Sequence, residues 1–255
     1  MEEVRFIDLT THNAYENMAI DEAIMLSMKD GKVIPTLRFY RWQPSAVSIG
    51  TFQGMRDEVD IEFCTSKGID VIRRITGGGA VYHDYEGEIT YSIILPRGHR
   101  LVPDDIIESY KIICEGIVLS LDYLGIKSEF KPINDVVVGS KKVSGNAQTR
   151  RHSCVLQHGT ILLDLDVRLM FSILKVPKEK ISDKMIADAK DRVISIRDLT
   201  GLKISMNELM DALETGFSEA LGIDLVRGTL TDGEREAATR LVREKYSIDK
   251  WNFKR

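Results

Sequence analysis

A sheet covered by helices in one main domain, an α/β fold of the α+β kind, is what this chain predicts. Apolar and β-branched segments dominate up to Leu165, and helical periodicities take over afterwards. The 255 residues suit one large domain, with no linker-like stretch or internal repeat to divide residues 1–255. A composition of 43% hydrophobic and 29% charged residues gives an ordinary globular core.

Val4 to Leu9 reads as the first strand. Asn13-Ala14-Tyr15-Glu16 has the form of a capping box, and the helix behind it runs to about Lys29 before Gly31. Thr36 to Trp42 and Ala46 to Gly50, on either side of Gln43-Pro44-Ser45, read as a strand pair. Ile61 to Lys67 is a short helix stopped by Gly68. Ile69 to Ile72 and Glu88 to Leu95 are strands. After a polar loop, Ile106, Tyr110, Ile113, Ile117, Leu121 and Leu124 recur at helical spacing, and Gly125 ends that helix. Strands follow at Asp135 to Val138, Lys141 to Ala147 and Val155 to Leu163. Helices are expected at Val167 to Leu174, about Lys180 to Ala187, Asn207 to Leu221, and about Asp232 to Tyr246.

The formal net charge of −4 leaves no general electrostatic footprint for nucleic acid. No apolar run reaches transmembrane length, and Met1-Glu2-Glu3-Val4-Arg5 does not open a signal peptide. Cys64, Cys114 and Cys154 are widely spaced and form no CxxC pair, so a reducing cytoplasm is the expected compartment.

Three stretches bear chemistry. In Arg73-Arg74-Ile75-Thr76-Gly77-Gly78-Gly79-Ala80-Val81-Tyr82-His83-Asp84, three glycines fit poorly inside a helix or strand, because each loses much backbone freedom on folding. They suit a turn whose bare N–H groups approach a ligand, and the two arginines favour an anion. A hairpin turn beside a solvated basic pair is the competing reading. In Asp135-Val136-Val137-Val138-Gly139-Ser140-Lys141-Lys142-Val143-Ser144-Gly145-Asn146-Ala147, strand alternation puts Lys142, Ser144 and Asn146 on one face. Lys142 then either serves a pocket or lies on a solvated edge strand. In Gln157-His158-Gly159-Thr160, His158 opens an apolar strand, as a ligand-orienting group or as a turn residue. Asp135 is a candidate for Mg²⁺, which takes oxygen ligands. His83, Asp84 and His158 match no familiar metal spacing.

In this order and spacing, the three stretches resemble the lipoate-protein ligase A family over essentially the whole chain. Asn17-Met18-Ala19 with Asp21-Glu22, and Arg38-Phe39-Tyr40, fit its N-terminal part. The resemblance implies a mixed, largely antiparallel sheet flanked by helices, like the biotin ligase and class II aminoacyl-tRNA synthetase catalytic fold. It implies an ATP- and Mg²⁺-dependent reaction in which lipoate becomes lipoyl-AMP. The lipoyl group then passes to a lysine of a lipoyl domain, on a 2-oxoacid dehydrogenase E2 or a glycine cleavage H-protein. By matching position, Lys142 would contact the lipoyl carbonyl and the α-phosphate. Thr76, Gly77, Gly78, Gly79, Ala80, Val81 and Tyr82 would line lipoate and AMP. Arg74 would steady phosphate, Asp135 would serve Mg²⁺ through the nucleotide, and His158 would approach the adenylate. His83, Ser144, Gly145, Ala147 and Thr160 belong to the same expected set.

Two features depart from the family. Thr149 stands where it often has an arginine, with Arg150 adjacent. The sequence also stops where the catalytic domain should finish, which resembles split ligases whose accessory domain is a separate small protein. Trp251 and Phe253 then either belong to a partner or hinge surface or cap the core. Two alternatives remain: an ATP-independent octanoyl or lipoyl transferase with Cys154 as thioester nucleophile, and a non-catalytic lipoate-binding module. A transferase thiol must be activated beside the lysine. Cys154, near Arg150 and Arg151, matches neither position at which transferases of this kind carry it.

Overall fold

The computed structural model describes residues 1–174 and 193–255. The expected helix at Lys180 to Ala187 lies outside them. The main element is an eight-stranded sheet in the order β11–β1–β2–β6–β10–β9–β8–β7. Its strands are β1 (Glu2–His12), β2 (Thr36–Trp42), β6 (Glu88–Pro96), β7 (Glu129–Lys131), β8 (Asp135–Val138), β9 (Lys141–Arg151), β10 (Cys154–Leu162) and β11 (Ile223–Arg227). Pairing is parallel at the β11–β1–β2 end and antiparallel from β2 to β7. This is the mixed, largely antiparallel sheet expected.

A second sheet holds β3 (Ala46–Ile49), β4 (Asp70–Arg73) and β5 (Val81–His83) in the order β4–β3–β5. Thr36–Trp42 and Ala46–Ile49 are therefore not partners. After Gln43-Pro44-Ser45 the chain leaves the main sheet, and Ala46–Ile49 becomes the centre of the small one.

Two-residue alternation gives the main sheet two different faces. Phe39, Tyr91, Ile93 and Ile161 meet α4 (Ile106–Tyr123) and α7 (Met206–Leu221) in a mainly apolar layer, in which Gln157 and Asn146 bond the Tyr91 hydroxyl. Ile113, Cys114, Ile117 and Leu121 of α4 lie in that layer as the periodicity predicts, whereas Ile106, in the first turn, is exposed. On the other face, Tyr40, Trp42, Ile94 and Leu156 meet α1 (Ala14–Lys29). Asn13 and Glu16 close the predicted capping box at its start. The small sheet packs beside α1 with α2 (Met55–Glu58), α3 (Ile61–Ser66) and α5 (Val167–Ile173). The chain continues through α6 (Ile196–Thr200) to α8 (Asp232–Leu241), a π-helical turn (Val242–Tyr246) and α9 (Asp249–Asn252). No helix among the described residues is long and apolar enough to cross a membrane.

Candidate active site

A cavity of ≈ 180 Å³ lies where the small sheet faces β2, β6, β10 and β9. Gly78, Gly79, Ala80, Val81, Tyr82 and His83 border it from the small sheet, with Arg74 beneath. Lys142, Gly145, Ala147, His158 and Thr160 border it from the main sheet. Residues far apart in sequence thus converge, whereas Thr76, Gly77, Asp135 and Ser144 of the expected set do not border the cavity.

Arg74 builds the glycine loop. Its buried guanidinium donates to Gly77 O (2.8 Å), Gly79 O (2.7 Å), Thr76 Oγ1 (3.2 Å), and Ser48 O and Oγ (3.0 Å each). Burial lowers its pKa to about 10, which leaves it charged at neutral pH. With its donors committed to the loop, Arg74 shapes the turn; it does not stand open to a phosphate. Gly78 lies at φ +94, and a β-carbon there would sit 2.8 Å from Arg74 Nη2, so the turn requires glycine. Among the described residues, the N–H groups of Gly77, Gly78 and Gly79 donate to no protein acceptor. Such N–H groups suit a developing oxyanion.

Lys142 reaches the cavity through a bulge. The β8–β9 register slips between Val136 and Val137, so Val136 faces Ser144 while Val137 faces Lys142. Val143 is the extra residue, and it inverts the alternation beyond it. Ser144 and Asn146, expected beside Lys142, turn to the opposite face, where Asn146 Oδ1 accepts from Tyr91 Oη at 2.6 Å. Gly145 and Ala147 take the cavity face instead. The lysine lies over Gly145, where a β-carbon would meet its Nζ at 2.6 Å. Lys142 Nζ forms an ion pair with Asp135 Oδ1 at 2.6 Å, off the hydrogen-bonding angle, and both side chains are about one-third exposed. Asp135 is thus engaged by an ammonium. No three His, Cys, Asp or Glu side chains among the described residues gather to hold a metal. The donor set does not fit the expected Mg²⁺.

Two histidines are anchored from behind. His158 Nε2 is 2.7 Å from Thr76 Oγ1, and its Nδ1 is 3.6 Å from Asp21 Oδ2. Burial lowers the His158 pKa, keeping the imidazole neutral at pH 7; Asp21 opposes that shift. Asp21 is itself buried, which disfavours its charge, but His158, Arg38 and Ser92 outweigh that cost and hold its pKa low. Arg38 donates to Asp21 Oδ1 at 2.9 Å. His83 stacks on Trp42 with centroids 4.0 Å apart and pairs with Glu88 Oε1 (2.7 Å) and Ser48 Oγ (2.8 Å). Met18, Trp42, Leu162 and Leu165 supply apolar wall.

Sequence reasoning gave no role to Asp21, Arg38, Ser48 or Trp42. One signal was available for Asp21. With Met18 and Met25 it stands at i, i+3 and i+7 on the apolar face of α1, where a carboxylate must find partners.

None of the three cysteines borders the cavity. Cys154 is 1% exposed, its thiol donates to Met25 O at 3.6 Å, and burial raises its pKa. It points into the apolar layer under α1, so its candidacy as nucleophile is corrected.

Comparison with known proteins separates family from reaction. The chain is 38% identical to the octanoyltransferase LipM of Brevibacillus brevis and 39% identical to that of Kyrpidia tusciae, over all of both chains in each case. A solved structure covers 99% of this chain and 96% of its own at 34% identity and a TM-score of 0.87. It is described as a bi-partite lipoate protein ligase and its E2 lipoyl domain from Thermoplasma acidophilum. The transferase names overturn the expected ATP-dependent, AMP-forming ligase, and with it ATP and Mg²⁺ as cofactors: a transferase receives a group already activated. Residues 13–218 match the model for the lipoyl protein ligase A/B catalytic domain, and the chain belongs to that family.

Proposed function

We propose that this chain is an acyltransferase that moves an octanoyl group from a thioester donor to the ε-amine of a lysine on a lipoyl-domain acceptor. The carrying observation is that Lys142 borders one partly apolar cavity without a thiol together with Gly78 and Gly79, whose N–H groups donate to no acceptor among the described residues. The apolar wall suits the acyl chain. Lys142 and the loop amides suit the oxygen that becomes negative when the carbonyl is attacked.

In this reading transfer is direct. The neutral acceptor amine attacks the thioester carbonyl, the C–N bond forms, and the C–S bond breaks. The proton lost by the amine leaves with the departing thiolate. Asp135 positions the Lys142 ammonium, and His158 fixes Thr76 at the root of the loop. The alignments with both relatives run over more positions, 278 and 277, than the 255 residues here, so the relatives carry segments with no counterpart in this chain. That difference leaves room for a mechanism without a cavity thiol.

The test is an acceptor-mass assay with two donors: octanoyl carrier-protein thioester without nucleotide, and free octanoate with ATP and Mg²⁺. Octanoylation from the thioester alone is expected. Modification only with free acid and ATP would contradict the reading, and no modification from either donor would revive a binding module.

A further inference from the structure

Arg73 and Arg74 are adjacent in sequence and turn in opposite directions. Arg74 holds the glycine loop from inside. Arg73 is fully buried on the other side and ties two distant segments together. Its guanidinium donates to Gly50 O and Thr51 O (3.2 Å each) and to Gln53 O in the segment after β3. It also donates to Trp251 O and Asn252 O in α9, at 3.0 Å each.

The backbone of Arg73 is held by the same helix. Its N–H donates to Asn252 Oδ1 at 2.9 Å, and its C=O accepts from Trp251 Nε1 at 2.8 Å. β4 is an edge strand of the small sheet, so these are groups that a neighbouring strand would otherwise pair. Two side chains of α9 stand in for that strand. Asn252 is anchored in turn by its donation to Tyr246 O at 2.7 Å, and Tyr246 is itself fully buried. The segment that Arg73 grips is also the floor of the glycine loop. Thr51 N–H donates to Thr76 O at 2.9 Å, and Gly50 lies so close beneath Gly78 O that a β-carbon would approach it to 2.1 Å.

We infer that Trp251 and Asn252 are positioning residues: a strap that sets the glycine loop through Arg73 and thereby sets affinity for the acyl donor. The part about the donor rests on the proposed transferase reading; the part about the loop does not. It also decides the role left open for Trp251, which packs edge-on against Tyr246 at 6.0 Å while its indole N–H serves the loop root.

Trp251→Phe removes the indole donor and keeps a ring. Asn252→Ala removes the acceptor for Arg73 N–H together with the donor to Tyr246 O. Lys250→Ala, exposed on the same helix, is the control. Amide hydrogen exchange is followed in the native state, with donor KM and kcat measured alongside. Exchange of the Arg74 amide, bonded to Ile49 O, and of the Thr51 amide, bonded to Thr76 O, is expected to rise about five-fold in Trp251→Phe and Asn252→Ala, the factor for one ordinary hydrogen bond, with α4 unchanged. Donor KM should rise by a similar factor, with kcat within about two-fold. Lys250→Ala should match the parent.

Unchanged exchange of the Arg74 and Thr51 amides in both Trp251→Phe and Asn252→Ala would overturn the strap, as would a uniform rise over α4 and these amides alike. Looser loop exchange in a chain that never uses a thioester donor would uphold the strap and fail the transferase reading.

Discussion

The two faces of the main sheet solve different problems with the same strands. Under α4 and α7 the layer is built from side chains such as Phe39, Tyr91, Ile117 and Phe217. One residue along each strand, the opposite face carries Arg38, Ser92 and His158, buried and hydrogen-bonded. An apolar face gains stability from area and packing. A face of buried charges is costly unless every partner is present, and what it gains is geometry. Damage to the first should therefore lower stability and spare the chemistry, whereas damage to the second should separate into structural and catalytic effects.

The largest effects should sharpen this contrast. Phe217→Ala empties a site in the apolar layer and is expected to cost about 3–5 kcal/mol. Denaturant unfolding should show that loss, while transfer by the remaining folded protein stays near parental rates. Asp21→Ala strands the Arg38 guanidinium and is expected to cost a similar ~3–5 kcal/mol. Here the folded fraction should also lose activity, because His158 loses the carboxylate behind it. Equal kinetics in the two folded variants would break the comparison.

Lys142→Ala comes next. Its side chain is one-third exposed, so the melting temperature should move little. Transfer should fall about 10²–10³-fold, the range for loss of one oxyanion donor. A pH series then isolates His158. Its folded pKa lies below the 6.5 of a free imidazole, so the unfolded chain takes up the proton first. The stability from this group is complete above pH 6.5 and falls as pH drops through that value toward the folded pKa. Asp21 acts in the same direction at lower pH. Its depressed pKa contributes stability above the ordinary carboxylate value of 3.8, which is lost as pH falls through the folded pKa. His158→Gln should flatten the limb just below pH 6.5 and leave the lower one. The smallest effect is expected from Cys154→Ser: about 1 kcal/mol of stability, with transfer unchanged.

The contrast also explains what could be read from the chain. The apolar face follows period rules, and the helix of Ile113, Ile117 and Leu121 was legible from spacing alone. A turn at Gly77-Gly78-Gly79 was legible because three glycines fit poorly inside a helix or strand. The arrangement of Ser144 and Asn146 was not, because the bulge at Val143 exists only in the pairing of β9 with β8, and one extra residue swaps the faces beyond it. The two arginines read as an anion-binding pair and proved to be internal ties, since donors on adjacent strand residues diverge. The reaction was misread for a related reason. Lys142, His158 and the loop suit any activated acyl group, so a motif shared across a family does not specify what activates it.

Intact mass of the chain after incubation with octanoyl carrier-protein thioester, first without and then with a lipoyl-domain acceptor and with no nucleotide present, tests direct transfer most plainly. The expected result is an unmodified chain at every time point and an acceptor that gains the octanoyl group once it is added. A hydroxylamine-labile octanoyl adduct on the chain that forms before the acceptor is added, and discharges onto it, would contradict the mechanism.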